Sequence, residues 1–319
     1  MKIFLGVQPI PDYGLDNIYD GLCKILGHEN VYDFNENIGL HGEVLAPYKD
    51  FPCFFNYPKK NIPNKELLEK IKGNYFDILL CSFTDYTFFA EFYPDIMMDL
   101  INAINNSTTP LYLINQGDVH KLHMEKIKYF KKARKYFLRE MLIGETYPSN
   151  FSPLGFSLST DYVIFKPFKE KTQKFFWAGD LENKKHMNRY DYISITEKLF
   201  NYNSKKKYNL KEYQENLSNS KMSVNLYGYG FDTVRYYEIP AFNTFMLSTP
   251  SKTIIPNDFV ENESVVYFYS IRDFKKKLEY YNNHLDEAEE IAINGYNHFL
   301  KYHTSEARAK TLLDCFVGK

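Results

Sequence analysis

The densest run of chemically useful residues lies between Asn225 and Glu238. It holds Gly228 and Gly230, then Asp232 and Thr233, then Arg235 and Glu238. Two glycines let a backbone approach a diphosphate closely, and the positive end of a following helix favours its charge. Arg235 offers a forked, charge-assisted contact to phosphate. Glu238, one helical turn on, can accept a pair of ribose hydroxyls. An ordinary surface ion pair between Arg235 and Glu238 is the plain alternative. A second such place is Ala178-Gly179-Asp180, which leads to Arg189. The first half offers Asp12 and Gly14 after its first apolar run, and Asn115-Gln116-Gly117-Asp118 with His120 after a later one. Asp12 or Asp118 could serve as a general base, or could simply form a turn. His303 is read equally as a site residue or as a structural histidine.

These residues sit in an alternation of strands and helices, the pattern of a parallel sheet covered on both faces. The apolar runs Ile3 to Val7, Val31 to Phe34, Phe76 to Cys81 and Leu111 to Ile114 read as buried strands. Leu15, Ile18, Tyr19, Leu22, Ile25 and Leu26 recur at helical spacing, with Gly27 as a C-terminal cap. Asn35 to Asn64, Pro-rich and aromatic, is a long loop. The rhythm restarts with the strand Lys174 to Ala178 and continues through Ser223 to Leu226, Phe245 to Leu247 and Val265 to Phe268. Phe274 to Leu285 and Ala288 to Phe299 read as two helices. With 319 residues the chain suits two domains, 1–160 and 161–319, with a last helix over about 304–316.

Composition excludes several classes. The net charge of −1 provides no field for nucleic acid or membrane, and the basic runs Lys121 to Lys135, Lys166 to Lys174 and Lys205 to Lys211 read as solvated faces. No stretch is apolar enough to span a bilayer. Cys23, Cys53, Cys81 and Cys315 are scattered, which suits a reducing cytoplasm and forms neither a zinc site nor a disulfide framework. No DxD motif occurs, and His120 with His123 makes no metal signature. The 18% aromatic content accompanies abundant Lys, Asn and Ile, as AT-rich coding produces, and carries no functional weight.

Leu217 to Leu226, Gly230, and Arg235-Tyr236-Tyr237-Glu238-Ile239-Pro240-Ala241-Phe242 resemble the glycosyltransferase family that includes the CgeB spore-maturation proteins. So do Phe274 to Leu285, Ile291 to Tyr296, and His303-Thr304 with Arg308. The resemblance spans roughly Phe175 to Leu313. It implies an α/β GT-B fold, two Rossmann-like lobes facing each other across a cleft, with the last helix packing back on the first lobe. It also implies a nucleotide-sugar donor in the second lobe and a hydroxyl acceptor, a glycan or protein before a nucleic acid, against the first. By that likeness Glu238 holds the ribose and Arg235 lies beside the diphosphate; place at the strand ends adds Gly179, Arg189, Asn225, Gly228, Gly230, Asp232 and Thr233 as donor-site candidates. Asp12 and Asp118 are the catalytic candidates, and no metal or other cofactor is expected. Related retaining transferases carry an E-x₇-E pair, but Gly230 stands eight before Glu238. Asp232 is then the substitute contact to the donor sugar, and the stereochemical outcome stays open. An epimerase of the same fold, a non-catalytic nucleotide- or carbohydrate-binding protein and a DNA-directed glycosyltransferase are the rival readings.

Overall fold

The computed structural model describes residues 1–6, 11–34, 37–42, 55–82, 94–118, 129–182 and 185–318. His120, His123, Cys53, most of the Lys121 to Lys135 run and part of the Asn35 to Asn64 loop lie outside these residues. The chain divides into two compact units, Met1–Gly155 with Ser305–Lys319, and Phe156–Thr304. The sequence reading places the boundary at 160/161 with the last helix, about 304–316, packing back on the first lobe; the units here part after Gly155 and again after Thr304.

The first unit is built on a six-stranded parallel sheet in the order β2-β1-β3-β4-β5-β6. Its strands are β1 Ile3–Gly6, β2 Val31–Asp33, β3 Ile78–Ser82, β4 Leu111–Asn115, β5 Lys135–Leu138 and β6 Phe151–Pro153. Because successive side chains alternate faces, the near-continuous apolar runs feed two cores at once. Phe4, Leu79 and Leu113 face α2 (Asn64–Lys72) and α3 (Pro94–Asn106), packing with Leu67, Ile71, Leu100 and Ile104. Leu5, Leu80 and Ile114 face α1 (Tyr13–Leu26) and the C-terminal helix Ser305–Phe316, packing with Leu15, Ile18, Leu22 and Leu312. Those last two helices approach so closely that a Cβ on Gly21 would lie 2.0 Å from the Ser305 carbonyl oxygen.

The second unit carries a four-stranded parallel sheet, β10-β9-β8-β7, from β7 Gln173–Phe175, β8 Ser220–Asn225, β9 Phe245–Ser248 and β10 Val266–Tyr267. The helices are α4 Arg189–Phe200, α5 Leu210–Asn219, α6 Arg235–Ala241, α7 Ile271–Asn283 and α8 Leu285–Tyr302. Trp177, Val224, Leu247, Phe268, Phe274 and Ala292 share one core. Regular strand β7 stops at Phe175, short of the expected Ala178, although the Phe176 N–H still bonds the Met222 carbonyl at 3.1 Å. The freed segment Trp177 to Asp180 is what reaches the site. α5 starts at a capping box made by Asn209 and Glu212. A buried Lys171 donates to the Ser218 and Phe242 carbonyls at 2.7 and 2.9 Å, and to the Thr244 hydroxyl at 3.1 Å. One ammonium thus satisfies carbonyls at the ends of α5 and α6, where helices leave acceptors unfilled. It thereby anchors the short helix that carries Arg235.

Candidate donor site

At the carboxyl ends of β7 and β8, three short segments of the second unit converge: Trp177 to Asp180, Leu226 to Thr233, and the start of α6. Parallel sheets bind ligands at this end. The Gly228 N–H bonds the Gly230 carbonyl at 3.0 Å, closing the loop into a tight turn. Arg189 is buried beside it, donating from Nε to the Tyr227 carbonyl and from Nη1 to the Asp180 carbonyl, both at 2.9 Å. Arg235, half-buried, donates from Nη2 to the Ala178 carbonyl at 2.5 Å, and its guanidinium lies 5.4 Å from the centre of the Trp177 ring. The glycines leave room for these groups. A Cβ on Gly179 would come within 3.0 Å of Arg235 Nη2, and one on Gly228 within 3.1 Å of Arg189 Nη2.

Among the described residues no carboxylate lies within ion-pair distance of either guanidinium. Burial and the neighbouring Arg235 push Arg189 down to about 10. Two like charges held close by backbone carbonyls, with donors to spare, form a site for a multiply charged anion.

The ion pair that the spacing of Arg235 and Glu238 suggests is not formed. Glu238 is buried, and its two oxygens accept from the Tyr162 hydroxyl at 3.0 Å and the Tyr213 hydroxyl at 2.9 Å. Burial raises its carboxyl above the usual range, against the pull of Arg235 and the two tyrosines. Asn225 and Thr233 bond each other at 2.6 Å, and the Asn225 amide donates to Ser248 at 3.0 Å, so both brace the loop. Asp232 is buried and takes the Phe156 N–H at 3.3 Å, which ties the glycine loop to the start of the unit. That is a bracing position and not an open sugar contact. His303 is fully buried against Tyr237 and Phe259, as a structural histidine would be.

Three side chains at the glycine loop escaped the sequence reading. Lys185 Nζ donates to the Tyr229 carbonyl at 2.8 Å, the His186 ring approaches the same oxygen at 2.9 Å, and Lys252 lies 4.9 Å from the Phe231 ring centre. No motif marks them, because the fold brings the Lys185-His186 pair and Lys252 to the loop from different parts of the chain.

In the first unit, Asp12 and Asp118 follow strands β1 and β4, and Arg139 follows β5. Asp12 caps α1, accepting from the Gly14 and Leu15 N–H groups at 2.9 Å. Burial pushes its carboxyl up, opposed by those bonds and by Arg139. Asp118 is exposed at 47% and pairs with the buried Arg139 guanidinium at 2.5 Å. Arg139 also holds Glu140 at 2.8 Å and the Gln116 carbonyl at 2.7 Å. The fold therefore places Asp12, Asp118 and Arg139 in one electrostatic neighbourhood.

Residues 163–314 match a family described as "Glycosyl transferase-like". The whole chain has the GT-B fold, as its similarity to solved structures shows. A glycosyltransferase from Rickettsia africae ESF-5 matches with a TM-score of 0.59 at 12% identity, covering 99% of this chain and 98% of that one. Anabaena Alr3699/HepE in complex with UDP-glucose gives a TM-score of 0.60 at 6% identity, with 100% of both chains covered. T4 phage BGT in complex with UDP and Mn2+ gives 0.53 at 10%, again over 100% of both. No match was found among curated protein sequences. Among the described residues, no helix is long and apolar enough to cross a membrane.

Proposed function

We propose that the chain is a glycosyltransferase that moves a sugar from a nucleoside-diphosphate sugar to a hydroxyl acceptor, with the donor diphosphate held by Arg189 and Arg235. The observation that carries this reading is the guanidinium pair at the strand ends, held by backbone carbonyls with no carboxylate in ion-pair contact among the described residues. A diphosphate supplies the missing charge, and both groups can stabilise it as it departs. Names of the similar structures make UDP and UDP-glucose the first donors to screen, and the motifs of the second unit favour a CgeB-like subfamily. Acceptors follow in the order glycan, protein, nucleic acid, and the setting is cytoplasmic. Turnover of a nucleotide-sugar without any acceptor product would instead mark an epimerase.

Glu238 is the proposed ribose contact. A carboxylate offers about four acceptor positions, of which the Tyr162 and Tyr213 hydroxyls take two while fixing the carboxyl's orientation. Glu238→Gln is expected to weaken UDP and uridine alike, by roughly ten- to a hundred-fold, in a calorimetric titration. Unaltered affinity would return Glu238 to a purely structural anchor for Tyr162 and Tyr213.

With the leaving diphosphate stabilised by arginines, transfer is expected to persist in EDTA. Complete loss with chelator, restored by Mn²⁺, would refute that expectation.

On the acceptor side, Asp12 or Asp118 is proposed as the base that takes the hydroxyl proton. Asparagine caps a helix as well as aspartate does, so Asp12→Asn removes the base and keeps the cap. The responsible variant, Asp12→Asn or Asp118→Asn, should lower kcat with UDP affinity unchanged. Unchanged kcat in both leaves these residues as a cap and an ion-pair partner.

A further inference from the structure

A second cavity runs along the edge strand β7 of the second unit, lined from Gln173 to Phe176. It has a volume of about 460 Å³, within the roughly 300–1,000 Å³ of small-molecule sites. Its walls are aromatic: Phe175 and Phe200 stack in parallel at 4.9 Å, with Tyr202 and Tyr208 alongside. Its polar lining is dominated by carboxamides, including Asn201, Asn216 and Asn282, and no carboxylate lines it. The Asn282 Oδ1 atom is buried and accepts no hydrogen bond from the described residues. A buried acceptor left empty costs free energy, which a bound donor recovers.

From this lining we infer that the cavity is a binding site for a neutral saccharide of one or two rings. A metal ion requires carboxylates or similar ligands, and a cationic ligand a counter-charge, neither of which the walls supply. A nucleotide requires more than the one lysine present, Lys174. A purely apolar ligand would leave Asn282 unfilled. Sugars match both features, since their C–H faces pack on aromatic rings while their hydroxyls donate to and accept from carboxamides. The site does not depend on the donor reading, because it uses neither Arg189 nor Arg235.

Saturation-transfer NMR on the full chain tests this, with maltose and cellobiose as probes at on the order of 10 mM, a concentration suited to weak binding, and UDP present in excess. At least one disaccharide should receive saturation, and Arg235→Ala should leave the signal intact. Asn282→Leu, which removes the acceptor and fills space, and Tyr208→Ala, which removes one wall, should each weaken binding about tenfold. Using both variants guards against one failing to fold, which circular dichroism would reveal. No transfer to either sugar, or transfer that both folded variants retain, would overturn the proposal. So would transfer abolished by UDP, because the sugar would then occupy the donor crevice.

Discussion

Arg235→Ala is expected to weaken UDP binding by roughly ten- to a hundred-fold while uridine binds as before. Its guanidinium meets the Ala178 carbonyl, the Trp177 ring and the Tyr213 hydroxyl within the protein, and its remaining donors can face phosphate. Arg189→Lys should cost at least as much, because an ammonium cannot bond the Tyr227 and Asp180 carbonyls with a planar fork and still face an anion. In the free protein Arg235→Ala relieves the like charge beside Arg189 but takes from the buried Glu238 the cation that favours its charged form, so its two effects on stability oppose each other. Trp177, the only tryptophan of the chain, lies against Arg235 and so reports binding by its own fluorescence. Equal UDP affinity in parent and Arg235→Ala, read from that signal, would remove the diphosphate role.

Gly21→Ala should be among the most damaging single-methyl changes in the first unit. The added carbon would sit 2.0 Å from the Ser305 oxygen and 2.9 Å from the Ala309 Cβ, and neither neighbour can rotate away. Overpacking costs about 1–3 kcal/mol, occasionally more. Forcing the C-terminal helix from α1 also breaks the bond from the Ser305 hydroxyl to Asp20, at 2.5 Å. Urea titration should show a lowered midpoint with UDP affinity retained, since every proposed donor contact belongs to the second unit. A midpoint within error of the parent would mean that the two helices do not pack this closely. Gly144→Ala is the useful contrast, with nothing within 4 Å of the new carbon and a backbone φ of +86°. It should show only the smaller cost of a left-handed residue.

What could be read in advance followed the range of the signal. Leu79, Leu80, Leu111 and Leu113 announce buried parallel strands because strand burial is written in consecutive residues. Arg189, Gly228 and Arg235 were legible as neighbours at the strand ends, and the fold does bring them together. The partners of Glu238 were not, since Tyr162 and Tyr213 lie 76 and 25 residues away in sequence, and a tyrosine bears no mark of the carboxylate it will meet. The local rule for an Arg and a Glu three apart on a helix lost to those two buried hydroxyl donors. Lys171 lay unnoticed within a basic run read as solvated, because only the fold brings the ends of α5 and α6 to it. The saccharide cavity was illegible for the same reason, its lining coming from five separate stretches of chain.

The second unit is a single continuous segment whose entry and exit are tied together. Leu158 pairs with Thr304 in a lone bridge, and the Leu158 N–H bonds the His303 carbonyl at 3.1 Å. The first unit, by contrast, needs residues from both ends of the sequence, because Leu312 and Phe316 complete the core laid down by Leu15 and Leu22. On the ribosome, where domains fold as units from the N-terminus onward, the order of completion is therefore inverted. The segment translated second can close first, while the half made earliest keeps an uncovered apolar face until the last helix emerges. Nascent chains stalled before Ser305 should thus hold a folded second unit beside an unfinished first unit that chaperones can recognise.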